Sequence, residues 1–438
     1  MTEPSIWDRV LDYSNRPDPY PLYREMRKTP VSQLPDGAYL VSTYAEIVSL
    51  LHDPRVSSDL SNNPHALAMA AEAAGVRGAE ERIEAAAAER AEGDGEGESG
   101  GEGEGRQGMS KTFLLMDPPE HDRMRRLAMR HFGPPNSPRR IADLEPKMLR
   151  LVTELIDAME GKTRIDFVED LAYPFPVSVI CELLGVPDED KARFRVWVDM
   201  ALQSTDPSLD PETQKARGEE AGKELNAFMS ELVAAHQENP GTDMLSAMAT
   251  DDGPEGRMTT EELVSVGLLL LIAGHETTVN LISNGALTLL RHPEVLQRLR
   301  DDPDLAIPMV EELLRYEPPV HFVPFRTALA DIEVAGTTIP EGSAITLVLG
   351  AGNRDPGHVA DPDSFVPDRE NNEHLGFGGG IHMCFGAPLA RLEAQVALAE
   401  MARRLRNPRL VTDPPPYRIS PILRGPLHLE MDIDGIGD

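Results

Sequence analysis

One cysteine lies in a loop whose composition suits an anionic sulfur. Cys384 stands in the run FGGGIHMCFG over residues 377–386, just before a predicted helix. Glycines permit tight turns that bring backbone N–H groups toward the sulfur. These donors, with the N-terminus of the next helix, should lower the pKa of the thiol. Phe377 could shield the sulfur from water. The alternative is an inert buried cysteine in a glycine-rich turn.

Polar residues interrupt a long apolar helix. The run AGHETT occupies residues 273–278, in the middle of a helical pattern over Glu261–Leu290. Glycine and threonine inside a helix are locally unfavourable unless the threonine hydroxyl bonds back to the preceding turn. One interpretation is therefore a helix kink that such a bond satisfies. The other is a catalytic site, in which small residues leave room for a ligand and an acid beside a hydroxyl transfers protons.

Charged residues elsewhere have spacings that fit either an ordinary surface or an anion-binding site. Glu312 and Arg315 are three residues apart on one predicted helix, where exposed ion pairs contribute little stability. His121 and Arg125 are four residues apart and face the same way. Any one of the basic residues is more commonly solvated than a ligand. As a set, they can donate charge-assisted hydrogen bonds to carboxylates.

These runs resemble, in this order along the chain, the signature elements of the cytochrome P450 family. FGGGIHMCFG is similar to the family's haem-binding loop, AGHETT to its oxygen-activation element, and ELLR at residues 312–315 to its Glu-x-x-Arg element. FVPDR at residues 365–369 resembles the segment whose arginine completes a buried triad. The resemblance extends from about Pro19 to Leu429 and implies a haem-thiolate protein.

The resemblance implies a role for each matching residue. Cys384 would be the axial iron ligand of haem b, and Glu276 and Thr277 would deliver protons as the O–O bond of dioxygen is cleaved. The other cofactor-binding residues would be His121, Arg125, Ala273, Gly274, Arg326, Phe377, His382 and Gly386. The basic ones among them would bind the haem propionates through charge-assisted hydrogen bonds.

A buried ion triad is implied as well. Glu312, Arg315 and Arg369 would be structural and would hold the loop that presents Cys384. A charged group buried without partners costs several kcal/mol. Removal of any one of the three should therefore impair folding or haem uptake rather than chemistry.

The implied fold is mainly α-helical with small β-sheets, a triangular helical prism with the haem between a long central helix and the cysteine-ligand loop. The pattern of the residues agrees, because helical periodicity dominates. Thr259 and Glu262 could form the capping box of the long helix. The predicted helices are Ala45–Leu51, His121–Arg130, Ile141–Met159, Phe175–Leu184, Asp188–Leu202, Gln214–His236, Glu261–Leu290, Pro308–Arg315 and Leu389–Leu405. The predicted strands are Ala38–Ser42, Ile332–Val334 and Ala344–Leu349.

A single haem domain over residues 1–438 is expected, interrupted by an acidic insertion. Residues 63–110 are rich in Gly, Glu and Ala, with eleven acidic and three basic residues between Glu72 and Glu104. Low hydrophobicity with high charge predicts a flexible surface loop. The family places a loop of the substrate cavity at this point, so the residues that contact substrate there stay open.

The resemblance implies a monooxygenase that uses O2 to hydroxylate or epoxidise an apolar small molecule, such as a fatty acid, a terpenoid or a polyketide-like compound. The chain has two cysteines and no flavin or nicotinamide motif. Electrons would therefore come ultimately from NAD(P)H through a separate ferredoxin and ferredoxin reductase. A basic cluster would attract the ferredoxin by charge. Its members are Arg123, Arg125, Arg126 and Arg130.

Two alternatives remain open. A peroxide-dependent haem-thiolate peroxygenase would not need the Glu276–Thr277 pair. A non-enzymatic haem sensor would lack this pair and usually carry a signalling or DNA-binding module. In a monooxygenase or a peroxygenase, apolar walls of the substrate cavity would select an apolar substrate. The predicted wall residues are Leu269, Leu270, Val320, Phe322, Val323, Ile422 and Leu423.

Composition limits the other functional classes. The chain has 74 acidic and 42 basic residues, a net charge of −32, which argues against nucleic acid or an anionic membrane as a partner. The longest apolar stretch, Leu263–Ala273, is shorter than the ~20 residues that a membrane span needs. The N-terminus does not resemble a signal peptide. A cytoplasmic monomer without a membrane span is expected.

Overall fold

The computed structural model describes residues 4–63, 112–133, 137–204, 209–253 and 255–437. Of the predicted acidic insertion over residues 63–110, only Asn63 lies within these ranges. The described helices are α1 (Ile6–Leu11), α2 (Tyr20–Met26), α3 (Tyr44–Leu51), α4 (Glu120–Phe132), α5 (Pro138–Ala142), α6 (Glu145–Asp157), α7 (Pro174–Leu184), α8 (Lys191–Gln203), α9 (Pro211–Glu238), α10 (Met244–Thr250), α11 (Thr260–Arg291), α12 (Pro293–Asp301), α13 (Ala306–Tyr316), α14 (Leu349–Gly352) and α15 (Ala387–Arg404). The strands are β1 (Val31–Gln33), β2 (Tyr39–Val41), β3 (Val56–Ser57), β4 (Arg164–Asp166), β5 (Val323–Ala328), β6 (Ile332–Val334), β7 (Thr337–Ile339), β8 (Ala344–Leu347), β9 (Arg409–Leu410) and β10 (Glu430–Asp432). The prediction of a mainly helical protein with small sheets is confirmed.

The long helix α11 is the central element of the helical part. Its 32 residues extend over about 48 Å. The predicted capping box is confirmed, because the Thr259 hydroxyl accepts from the Glu262 N–H and the Glu262 carboxylate accepts from the Thr259 N–H. Helices α7, α9, α13 and α15 pack against it. By length and composition α11 could cross a membrane, but 72% of its most apolar window is buried inside the protein.

The largest sheet has the strand order β1-β2-β8-β5-β3. Strands β2 and β8 are parallel, and the other neighbours are antiparallel. The register of β5 shifts between Val323 and Arg326, and Phe325 within this bulge has a φ of 62°. A bulge redirects side chains and is common beside active sites. The remaining sheets are β4-β10-β9 and the β6-β7 hairpin.

Buried apolar side chains form three clusters. The largest lies among the helices and includes residues from α4, α7, α11 and α15. A second cluster lies between the five-stranded sheet and α3. The third joins α1 and α2 to residues of the sheet region, including Phe322 and Val348. The N-terminal helices therefore pack on the sheet and not on the helical core.

A short hairpin near the C-terminus connects the sheet region to α11. Tyr417 and Pro426 are paired in an antiparallel bridge, and the Arg418 N–H donates to the Gly425 carbonyl at 3.0 Å. Leu423, near the tip, forms a second bridge with Val320. We refer to residues 417–426 as the C-terminal hairpin.

Each predicted helix contains helical residues, but one prediction is wrong. The predicted helix Ile141–Met159 consists of α5 and α6, which are separated at Asp143 and Leu144. Pro146, in the first turn of α6, lacks the N–H that a continuous helix would need at this position. Helices α1, α2, α10, α12 and α14 were not predicted; each has nine residues or fewer and so a weak periodic signal, although the eight-residue α3 was predicted.

Candidate active site

One face of α11 is accessible in the middle of the protein. Leu269, Ala273 and Thr277 keep accessible surface, although most residues around them on the helix are buried. They are four residues apart and so form one stripe along the helix. The predicted small residue Ala273 and the predicted relay residue Thr277 therefore share a face, with Leu269 one turn earlier.

The neighbouring stripe of α11 lies toward another helix, which corrects the prediction that Leu270 lines the substrate wall. Leu270 is buried in the main apolar cluster. A Cβ on Gly274, four residues later, would lie 3.4 Å from Cδ1 of Ile180 on α7. Residues i and i+4 share a helix face, so Leu270 and Gly274 face α7. Gly274 therefore lies close to α7 on one side, yet like Ala273 it keeps some accessible surface, so its role beside the cofactor stays a prediction.

Both candidate relay residues contact other groups of the protein. The Thr277 hydroxyl donates to the Ala273 carbonyl at 2.8 Å, so the back-bonding that the sequence suggested does occur. The Glu276 side chain is buried, and its Oε1 lies 3.0 Å from Nε of Arg418 in an ion pair. The hydroxyl thus lies on the accessible stripe, while the carboxylate is held by the C-terminal hairpin.

Glycines fold the cysteine loop closely around the start of its helix. Gly378 and Gly380 have φ values of 69° and 63°, which favour glycine. A Cβ on Gly380 would also clash with the Leu51 carbonyl oxygen of α3. The Cys384 N–H donates to the Phe377 carbonyl at 2.8 Å. The loop therefore has the tight backbone that its sequence predicts.

Cys384 borders an enclosed space. Its side chain is accessible, although protein atoms surround it closely enough that burial raises the pKa of the thiol. The N–H groups of Gly386 and Ala387 and the cations of Arg125 and Arg391 act in the opposite direction. The predicted donors are present, but the predicted net lowering of the pKa is wrong because burial outweighs them. A metal ion at the sulfur would reverse this balance.

The predicted propionate-binding residues converge beside the cysteine loop. The rings of His121 and His382 are 4.4 Å apart. Burial lowers the pKa of His382 to about 3, with further contributions from Arg326, His121 and Arg125. Burial also lowers the pKa of Arg326 to about 10. Four basic groups in such a dry place favour an anionic ligand.

Two buried nitrogen atoms test whether a haem fits here. Nδ1 of His121 forms a hydrogen bond of 2.8 Å with Oδ1 of Asp122, but its Nε2 bonds to no described residue, and neither does Nε2 of His382. Buried polar atoms normally have partners. Haem carboxylates would supply them, and the accessible surfaces of Cys384 and Ala273 would be available to the ring. The residues present therefore fit the predicted cofactor.

The predicted ion triad is formed and buried. Arg315 donates to both carboxylate oxygens of Glu312, at 2.7 and 2.8 Å, and Nε of Arg369 lies 3.2 Å from each of them. Arg315 also donates to the carbonyl of Asn353, whose side-chain oxygen accepts from the Leu375 N–H at 2.6 Å. Because Leu375 is at the start of the cysteine loop, the triad connects α13 directly to that loop.

A second charged network lies beside the triad and was not predicted. Glu311 accepts hydrogen bonds from Arg391 at 2.7 and 2.9 Å and bonds with His374 at 3.1 Å. Burial alone would raise the pKa of Glu311, but the bonds to His374 and Arg391 lower it to about 2. The Arg391 guanidinium lies 4.6 Å from the ring centre of Phe377. Glu311 therefore joins α13, α15 and the cysteine loop.

The predicted basic cluster on α4 is not a free positive surface. Three of its arginines form ion pairs of 2.6 Å with acidic residues around the start of α11, namely Arg123–Glu262, Arg126–Glu255 and Arg130–Asp251. Arg125 donates to the Met383 carbonyl at 2.6 Å. These charges are largely compensated within the chain, which leaves less charge to attract a ferredoxin, and docking at this cluster stays a prediction.

Four of the predicted substrate-wall residues lie on two adjacent extended segments. Val320 pairs with Leu423, and the Ile422 carbonyl accepts from the His321 N–H at 2.9 Å. Val320, Ile422 and Leu423 keep partial accessibility, and so does Val323 at the start of β5. The C-terminal hairpin and the segment before β5 thus form one continuous surface.

Phe322 does not belong to this surface, and Phe325 is an exposed residue that was not predicted. The Phe322 ring lies 5.0 Å from that of Trp7 in the N-terminal cluster, so the prediction that it lines the substrate wall is wrong. Phe325, which was not predicted, is 39% exposed and lies in the bulge next to Arg326. A positive φ in a bulky residue is rare and has no local signal in the sequence.

Known proteins resemble the chain over nearly its whole length. Residues 89–427 match the family model described as Cytochrome P450. The chain is 37% identical over 420 residues to the cytochrome P450 monooxygenase PikC of Streptomyces venezuelae, with 93% of this chain and 89% of that protein covered. It is 35% identical over 425 residues to the 6-deoxyerythronolide B hydroxylase of Saccharopolyspora erythraea, with 95% and 96% covered. A solved structure of P450BioI, in complex with hexadec-9Z-enoic acid ligated acyl carrier protein, matches with a TM-score of 0.80 at 30% identity and covers 96% of this chain and 99% of that one.

The buried triad leads to a prediction with a matched control. Glu312→Gln leaves two arginines without their charge partner, which should cost about 3–5 kcal/mol and reduce the haem content of the purified protein. Glu400→Gln removes the same kind of i, i+3 partner from Arg403, but that arginine is exposed, and the cost should be under about 1 kcal/mol. Thermal unfolding and haem-to-protein ratios measure both effects. Equal losses in the two variants would contradict a special role of Glu312.

Proposed function

Because this chain belongs to the cytochrome P450 family, we propose that it is a single-domain cytoplasmic monooxygenase that takes electrons from a separate ferredoxin system and oxygenates a polyketide-like or fatty-acyl substrate. One observation carries the proposal. Cys384, Ala273 and Thr277 keep accessible surface, and two imidazoles beside the cysteine loop have buried nitrogens that lack partners among the described residues.

The residues of the chain would divide the work around the cofactor. Cys384 would ligate the iron, and His121, Arg125, Arg326 and His382 would hold the propionates through charge-assisted hydrogen bonds. When bound, the haem would supply the electron transfer and oxygen activation that the polypeptide cannot supply. The protein binds and orients the reactants and excludes water.

Thr277 and Glu276 would move protons at the accessible face of α11. The Thr277 hydroxyl lies on the stripe next to Ala273 and donates to the Ala273 carbonyl, so its oxygen can still accept a hydrogen bond. The adjacent Glu276 carboxylate is the acid–base group that could supply protons to this hydroxyl. A peroxide-dependent enzyme would have no need of this pair.

The substrate class follows from the apolar surface and from the relatives. Leu269, Val320, Ile422 and Leu423 present apolar side chains with partial accessibility, and such walls select apolar ligands. One relative is named for hydroxylation of 6-deoxyerythronolide B, and one solved relative carries a fatty acyl chain on its carrier protein. These names support a macrolactone or an acyl chain as the substrate.

The electron donor would approach the cysteine loop. The chain has two cysteines, too few for an iron–sulfur cluster of its own. Ile381 and Met383 in the loop are 48% and 45% exposed, next to the Arg125 that donates to the Met383 carbonyl. We propose that these apolar side chains, more than the compensated arginines of α4, contact the ferredoxin.

The two cysteines provide a direct test of the ligand assignment. Cys384→Ser should abolish the red-shifted Soret band of the reduced carbon monoxide complex, because the thiolate is lost. Cys181→Ser, in the buried core of α7, should keep the band. Absorption spectra of both reduced proteins under carbon monoxide decide the matter. A red-shifted band in Cys384→Ser would overturn the assignment.

The neighbouring threonines provide a test of proton delivery. Thr277→Val removes the hydroxyl on the accessible stripe and should raise the hydrogen peroxide formed per NADPH consumed several-fold, since general acid catalysis contributes about 10²–10⁴-fold to such steps. Thr278→Val removes a hydroxyl that is buried and donates to the Gly274 carbonyl, and should leave this ratio near the wild-type value. Both are measured with a surrogate ferredoxin and reductase. An unchanged ratio in Thr277→Val would remove Thr277 from the relay.

The substrate class is tested by the haem spin state. Myristic acid and a 14-membered macrolactone should each displace water from the haem and shift its absorption toward the high-spin form, whereas glucose should not. Leu269→Trp reduces the space beside the accessible stripe. It should therefore weaken binding of the bulky macrolactone more than binding of the thin acyl chain. A shift with glucose, or with neither apolar compound, would contradict the proposed class.

A further inference from the structure

A polar stripe on α11 lies beside the accessible one. Glu276, Asn280 and Asn284 are four residues apart, and all three are buried. Their spacing places them on one face of the helix. Buried polar groups need partners, so this face must meet polar groups of another segment.

The C-terminal hairpin meets this stripe. Nδ2 of Asn284 donates to the Arg424 carbonyl at 2.9 Å. A Cβ on Gly425 would clash with Oδ1 of Asn280, so the backbone of the hairpin lies directly against that side chain. Arg418, at the base of the hairpin, pairs with Glu276 at 3.0 Å. Glu276 and Asn284 thus hold one short segment through polar contacts, and Asn280 between them packs against it without a hydrogen bond to a described residue.

The same hairpin carries part of the apolar surface. Its residues Ile422 and Leu423 lie beside Val320, and Arg418 is fixed at its base by the hydrogen bond from its N–H to the Gly425 carbonyl. A displacement of the hairpin by a ligand would therefore move Arg418. The Arg418 side chain in turn forms an ion pair with the carboxylate of Glu276, the residue next to Thr277.

The ion pair is shielded enough to control the carboxylate. The side chains of Arg418 and Glu276 are 14% and 5% exposed, so water screens the pair little. Loss of either partner would leave the other charge buried without it, which strongly disfavours the arrangement. The pair therefore restricts where Glu276 can lie.

We propose that Arg418 is a positioning residue for Glu276, and that through it the C-terminal hairpin couples the substrate wall to proton delivery. This inference rests on the proposed function, in which Glu276 takes part in proton transfer. Arg418 acts in this proposal only through its ion pair with Glu276.

The test on proton delivery needs no substrate. Reduction of O2 by two electrons and two protons gives H2O2, and reduction by four electrons and four protons gives two H2O, so the peroxide yield per O2 reports on proton supply. With NADPH and a surrogate ferredoxin system, Arg418→Met should raise this yield at least twofold, as Glu276→Gln should. Arg418→Lys, which keeps the charge, should restore most of the wild-type ratio. Arg409→Met removes an exposed pair with Asp434 on the same C-terminal segment and should have no effect.

The double variant Glu276→Gln/Arg418→Met guards against misfolding, because it leaves no lone buried charge. Its peroxide yield should equal that of Glu276→Gln alone, since two residues that act through one contact are not additive. If Glu276→Gln raises the yield and Arg418→Met does not, the inference on Arg418 is overturned while the proposed relay stands. If neither raises it, the relay fails and the inference fails with it.

A second measurement follows the hairpin without turnover. Backbone hydrogen exchange of residues 417–426 in the haem-loaded protein should become at least tenfold faster in both Arg418→Met and Glu276→Gln, and should stay unchanged in Arg409→Met. Unchanged exchange in Arg418→Met would show that the pair does not hold the hairpin. Faster exchange in Arg418→Met alone would show that Arg418 acts through contacts other than Glu276, which also overturns the inference.

Discussion

The Glu312 carboxylate, buried between two arginines, is the interaction on which the cysteine loop depends. A buried charge is tolerated only when its partners are held in good geometry, and here Arg315 and Arg369 both reach the same two oxygens. The partners of Arg315 extend through Asn353 to the first residue of the loop. The adjacent Glu311 repeats the connection through α15. The place of the sulfur is thus set by charges that do not touch it.

Helix α11 serves three environments because its stripes differ in composition. The stripe of Leu269, Ala273 and Thr277 borders the accessible space, and the stripe through Gly274 packs on α7. The stripe that begins at Glu276 binds the C-terminal hairpin. Adjacent residues in a helix are about 100° apart, so Thr277 and Glu276 can be neighbours in the chain and yet meet different segments. This explains how an acid and a hydroxyl can act together while only one borders the accessible space.

Local patterns predicted the features that depend on local sequence. The capping box at Thr259, the Glu312–Arg315 spacing and the tight cysteine loop were predicted because each is specified within a few residues. The network of Glu311 was not, since its partners are 63 and 80 residues away. Leu270 was assigned to the substrate wall although it is buried, because the sequence does not show which side of the helix is covered. Short helices such as α14 lack enough turns for a periodic signal.

The charges of α4 show how burial and pairing change the meaning of a sequence pattern. Four arginines within eight residues suggest a positive surface on a chain of net charge −32, but acidic residues near the start of α11 neutralise three of them. The net positive charge of this helix is therefore small, and it attracts an acidic partner only weakly at long range. What remains exposed beside the sulfur is apolar, at Ile381 and Met383. A ferredoxin docked there, as we propose, would be recognised mainly through short-range contact with these two side chains.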